Sequence, residues 1–188
     1  YLSSSANHIF DLTVGYDESA AFSASTSTQN SKKINLYNQF SQVLLGFTGS
    51  TNTVRLFESD LTLDQTGSMK SCFFLTFSRL LVKDQIKKGS FTIKLGTGSL
   101  GAAGQPWPTA SANAPSAILT LQDVSASANG EGTTSTPGGD YGILYDTTAS
   151  STTRGLGVIF YQAGIVVLTS SIFDDMAEET ANHPGISP

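Results

Sequence analysis

The chain has 188 residues, of which 39% are hydrophobic and 13% charged, and its formal net charge is −5. That length suits one well-buried domain rather than two, and eleven Phe with six Tyr supply a core that a disordered chain would lack. The acidic balance argues against a nucleic-acid partner, no run approaches the ~20 apolar residues of a membrane helix, and the single Cys72 makes neither an internal disulfide nor a Cys-rich zinc site.

Phe10, Leu12, Val14 and Tyr16 alternate with Asp11, Thr13 and Gly15, which is strand periodicity. Ala21–Ser31 is a Ser/Thr/Ala stretch without apolar rhythm and reads as a loop that is either mobile or ordered by a partner. Lys32–Leu45 is the clearest helix, because Leu36, Tyr37, Phe40, Val43 and Leu44 fall on one face. Asn30 or Ser31 is placed to cap its start and Gly46 to end it. Its other face, Asn35, Asn38, Gln39, Ser41 and Gln42, is polar but uncharged, as a face against another protein or a solvated face would be.

Thr53–Phe57 reads as a short strand and Cys72–Leu81 as the central one, with Phe73, Leu75 and Phe77 on one face and Phe74, Thr76 and Ser78 on the other. Within that run Cys72 reads as a buried, inert thiol. Asp84–Lys88 resembles one helical turn stopped by Gly89, and Phe91, Ile93 and Leu95 alternate as a further strand. From Gly96 to Asn113 the composition turns to Gly, Ala, Ser and Pro, with Trp107 between two prolines, a loop in which the Trp is either a contact anchor or folded back on its own domain. Ala117–Leu121, Tyr141–Tyr145, Gly157–Tyr161 and Ile165–Thr169 complete the strands, the last two joined through Gln162-Ala163-Gly164 as a hairpin. Ser125–Gly139 is again small and polar, and Ile172–Ala181 is weakly helical and acidic. About eight strands and one good helix predict a mainly β (α+β) fold: a single antiparallel β domain over residues 1–188 with one amphipathic helix and long Gly/Ser/Ala loops. Starting at Tyr1, the chain reads as a segment of a longer product.

Catalytic signals are sparse. Gly96-Thr97-Gly98-Ser99-Leu100-Gly101 matches a dinucleotide-binding pattern, but a long helix cannot follow through Gly104-Gln105-Pro106-Trp107-Pro108, so no pyrophosphate would face a helix N-terminus. The two histidines, His8 and His183, lie near opposite ends, a poor start for a Ser–His–Asp site. Asp174, Asp175, Glu178 and Glu179 could join His183 at a metal, but a solvated acidic segment is the commoner meaning. The expectation is therefore no catalysis, no cofactor and no metal.

Charge layout is more informative. Arg79, Lys83, Lys87, Lys88 and Lys94 are half of all Lys and Arg, whereas Asp174, Asp175, Glu178 and Glu179 follow the last base, Arg154. Heterologous contacts between identical copies, or with a second protein, exploit such separation, although the two regions could also pair within one subunit. The low total charge makes burial against neighbours cheap in desolvation. Lys83, Lys87, Lys88, Lys94, Trp107, Asp174, Asp175, Glu178 and Glu179 are the candidate interface residues.

Several blocks resemble a known group: Lys32-Lys33-Ile34-Asn35-Leu36-Tyr37-Asn38-Gln39 with Val43-Leu44-Leu45-Gly46, Cys72-Phe73-Phe74, Phe77-Ser78-Arg79-Leu80-Leu81 running into Lys83–Phe91, Tyr141–Tyr145 and Gly157–Ile165. These look like virion structural proteins of large contractile-tailed phages, especially those of marine cyanobacteria, over roughly residues 5–173. The resemblance implies a non-enzymatic tail or baseplate component present in many copies, assembled in the cytoplasm of an infected bacterial host. Its partners would be other copies of itself and other virion proteins, with no membrane insertion and no small-molecule substrate. It brings no active-site residues to transfer. The rival expectation is a cell-surface carbohydrate-binding or adhesion module that stacks sugars on Trp107 or on Tyr residues.

Overall fold

The computed structural model describes residues 9–20, 23, 28–47, 53–57, 69–78, 84–96, 118–124, 136–147 and 155–173. They form seven strands and one α-helix: β1 (Phe10–Tyr16), α1 (Thr28–Leu44), β2 (Ser71–Phe77), β3 (Thr92–Gly96), β4 (Ile118–Gln122), β5 (Tyr141–Asp146), β6 (Gly155–Phe160) and β7 (Ile165–Thr169). A short 3-10 helix over Ser170–Phe173 follows β7. The strands make one sheet in the order β1-β2-β7-β6-β5-β4-β3, with every neighbouring pair antiparallel. The fold is mainly antiparallel β with a single helix, as the alternating patterns require.

The sheet is curled. β2 and β3 stand five strand spacings apart, about 24 Å if the sheet were flat, yet the rings of Phe77 and Phe91 meet at 5.8 Å. The concave side is filled by Leu75, Leu121, Leu144, Ile159, Val166 and Leu168, with Phe73, Phe77, Ile93 and Leu95 packed against them. An irregularity in the β5–β6 ladder assists this packing. Leu144 pairs with Gly157 and Tyr145 with Gly155, so Leu156 is the extra residue of a β-bulge and joins the concave core.

The convex side belongs to α1. Gly15 of β1 lets the helix approach, since a Cβ there would lie 3.0 Å from the Tyr37 backbone nitrogen and 3.2 Å from the Lys33 carbonyl. Beneath the helix, Tyr37, Leu44, Phe57, Cys72, Phe74, Val158, Phe160 and Val167 form a second core. Phe74 is its hub, stacked on Phe40 at 4.3 Å and edge-on to Tyr37. The Tyr37 hydroxyl donates to the Met69 carbonyl at 2.7 Å and accepts from the Phe57 N–H at 3.1 Å.

The structure corrects several expectations. The helix starts at Thr28, so the end of the Ala21–Ser31 stretch is helical, and Asn30 and Ser31 lie inside the helix rather than capping it. Asn30 instead accepts from the Tyr16 hydroxyl at 2.6 Å. Val43 is 62% exposed, and Ser41, read as part of the outer face, is buried with its hydroxyl donating to the Arg55 carbonyl. Thr53–Phe57 is not a sheet strand but makes isolated bridges, Phe47 to Val54 and Phe57 to Met69. The Cys72–Leu81 run is a strand over Ser71–Phe77, second from the edge rather than central. It reads as central because both its faces are buried, one by α1 and one by the curl. Asp84–Lys88 forms bends and a turn, not a helix, although Gly89 takes the expected positive φ of 73°. Gly46 and Gly164 also do so, ending α1 and closing the β6–β7 hairpin. The Gly96–Asn113 loop beyond Gly96, residues 125–135 of the Ser125–Gly139 stretch and the acidic segment beyond Phe173 lie outside the described residues.

Candidate functional site

The densest polar arrangement among the described residues surrounds Asp123, directly after β4. Its side chain is 1% exposed and accepts three hydrogen bonds. Oδ2 receives the Gly89 N–H at 2.7 Å and the Tyr161 hydroxyl at 3.0 Å, and Oδ1 receives the Phe91 N–H at 2.9 Å. Three segments far apart in sequence are thereby fixed together: the turn leading into β3, the end of β4 and the β6–β7 hairpin. The Ile86 N–H donating to the Tyr161 carbonyl at 3.0 Å, and the Tyr161 N–H to the Asp140 carbonyl at 3.1 Å, extend the network through the backbone.

Tyr161 is held in place sterically as well. A Cβ on Gly142 would sit 2.1 Å from the Tyr161 hydroxyl oxygen, so only glycine leaves room for the phenol to reach Asp123. Burial, then the charge of Asp123 and its hydrogen bond, push the phenol pKa well above its ordinary value. The hydroxyl is therefore a committed donor. Above it, Lys88 places its Nζ 5.9 Å from the Tyr161 ring centroid and pairs with Asp140 Oδ2 at 2.7 Å.

This geometry is that of a clamp. The Asp123 carboxylate spends its oxygens on two backbone N–H groups and a phenol, which satisfies buried polar atoms and anchors a turn. Among the described residues there is no group of three or more His, Cys, Asp or Glu that could hold a metal ion. No described helix is long and apolar enough to cross a membrane. Cys72 is buried with its thiol pushed upward by desolvation and directed at the Met69 carbonyl.

Of the candidate interface residues, Lys87 and Lys94 are exposed, Lys94 on the edge strand β3. Lys88 is engaged within its own chain by Asp140. Lys83, Trp107, Asp174, Asp175, Glu178 and Glu179 lie outside the described residues, as do His8 and His183. The structure thus brings Lys88 into the Asp123 cluster and leaves Lys87 and Lys94 pointing to solvent. Sequence reasoning missed Asp123, Asp140 and Gly142. The only local signals are an aspartate directly after an alternating strand and a glycine inside another.

A second feature lies at the opposite edge of the sheet. Ile9, Phe10 and Leu12 are 61%, 47% and 60% exposed, and they account for most of the exposed large hydrophobic residues among those described. Comparison with protein-family models, curated proteins and solved structures yields no match to this chain.

Proposed function

We propose that the protein is a non-enzymatic phage virion structural component of the tail or baseplate, working through repeated subunit contacts. The observation that carries this reading is the group of exposed apolar side chains, Ile9, Phe10 and Leu12, on the strand that edges the described sheet. Large apolar side chains exposed together at a sheet edge mark an interaction site on a folded chain. The low charge content supports the same reading, since few charges need desolvating when such a surface is covered. The block resemblance to contractile-tailed phage proteins supplies the kind of assembly, and the polar cluster reads as architecture rather than chemistry.

Mass spectrometry of purified phage particles tests the proposal. The expected result is this chain in a fixed stoichiometry of many copies per particle. Its absence from particles, together with saturable binding of the purified chain to a cell-surface glycan, overturns the reading in favour of a carbohydrate-binding module.

A further inference from the structure

The two edges of the sheet are complementary to each other. Among the described residues β1 forms one edge and β3 the other, and the two share no ladder. Six successive antiparallel pairings separate them, so β1 and β3 run in the same direction. On β1, Phe10, Leu12 and Val14 lie opposite Phe77, Leu75 and Phe73, which places them on the concave face. On β3, Ile93 and Leu95 occupy that same face, opposite Leu121 and Leu119. The convex face carries the charges. Asp11 stands opposite Thr76 on β1, Lys94 stands opposite Thr120 on β3, and both are exposed. Asp11 is the only charged residue in β1 and Lys94 the only one in β3.

We propose that β1 of one copy is continued by β3 of a second copy, in parallel, with Asp11 of the first beside Lys94 of the second. This rests on the subunit-contact reading above and specifies which surfaces meet. In that register Phe10 lies beside Ile93 and Leu12 beside Leu95, so apolar side chains adjoin on the concave face while opposite charges adjoin on the convex face. The side chains of the two strands alternate between faces in step, which is the condition for a sheet to continue across a boundary. Exposed edge strands invite such pairing unless they are blocked, and β1 contains no proline, lysine or bulge. The contact is heterologous: each copy offers β1 to one neighbour and β3 to another, so it repeats into a ring or an open array. An antiparallel β1–β1 contact would stop at a dimer.

A charge swap on the full chain, followed by sedimentation velocity over a concentration series, tests the pairing. The unaltered chain is expected to form species beyond the dimer. Asp11→Lys and Lys94→Asp should each weaken self-association by about tenfold, since each sets like charges side by side across a strand pair. The double variant Asp11→Lys/Lys94→Asp should restore association to near the original, with circular dichroism unchanged throughout. A chain that is monomeric at every concentration overturns the proposal. So does a dimer sensitive to Asp11→Lys alone, which is the signature of β1–β1 pairing. A swap that moves the melting temperature of a monomer and leaves sedimentation unchanged places the two residues within one chain and overturns it as well. Any of these results would leave the detection of the chain in particles untouched, and the converse also holds, so the two proposals fail separately.

Discussion

The two lips of the curled sheet are held by different physics. β1 is held from behind by a helix: α1 crosses at Gly15, and its Tyr37 side chain packs on Phe74 of the next strand. β3 is held at its start by a buried carboxylate, with the N–H groups of Gly89 and Phe91 on Asp123. The first arrangement is apolar and spread over many contacts. The second concentrates on one side chain. An edge strand that exposes Phe10 and Leu12 must take its order from the face behind it, because the first half of the strand buries little. A five-residue edge that ends the sheet can instead be pinned at one point.

The largest effect should come from breaking the pinned lip. Asp123→Ala would leave two backbone N–H groups and a phenol without an acceptor in a buried site. At ~1–3 kcal/mol for each unsatisfied group, a loss of about 3–5 kcal/mol of stability is expected by chemical denaturation. Amide exchange at Phe91 should accelerate more than exchange at Val14. Equal acceleration at both lips would show that the clamp is not local to β3.

Gly15→Val tests the other lip. The added Cβ meets the helix backbone at Tyr37 and Lys33 as well as the buried Phe74 ring, so α1 must move away from β1. A cost of about 1–3 kcal/mol is expected, with the loss of protection centred on β1 and α1 and with Phe91 spared. Were Phe91 to exchange faster by the same factor, the two lips would be one cooperative unit.

A smaller effect separates the lips by pH. Burial raises the Tyr161 pKa at the β3 clamp and the Tyr37 pKa under the helix. In the unfolded chain a phenol loses its proton near pH ~10, while in the folded chain it keeps it. The unfolded state therefore binds fewer protons above that pH, and stability falls as pH rises through the alkaline range. Tyr161→Phe removes one of these contributions and costs the hydrogen bond to Asp123, about 1–2 kcal/mol at neutral pH. Its stability should then decline less steeply above pH ~10 than that of the unaltered chain. An unchanged slope would place the alkaline sensitivity on the helix side alone.

Much of the sheet was legible from alternation. β1, β4, β5 and β7 follow it to within a residue or two, because each has one face in a core and the other nearer water or the helix. The errors have a common cause, which is that periodicity records burial and not its source. β2 is apolar on both faces, and that pattern fits the middle of a flat sheet as well as a near-edge strand enclosed by a helix and a curl. The first turn of α1, Thr28-Gln29-Asn30-Ser31, has no apolar residue to announce it, and it is joined to the sheet by the polar contact from Tyr16 to Asn30. Ser41 replaces Val43 in the buried stripe because a backbone carbonyl, that of Arg55, awaits its hydroxyl. The Asp123 clamp was illegible for a different reason. Its donors come from residues 34, 32 and 38 positions away, and no spacing along the chain encodes their convergence.

The lone thiol offers a clock. Cys72 is 1% exposed, lies between the helix and the sheet, and keeps its proton through burial. An alkylating reagent attacks the thiolate and needs access to it, so modification at neutral pH has to wait until α1 lifts from β2. With no second cysteine in the sequence, every labelled molecule counts one such opening. In native buffer the labelling rate measures how often the helix leaves the sheet. The same rate, compared between the unaltered chain and the Asp11→Lys variant, would report whether the proposed β1–β3 pairing loosens or tightens that layer.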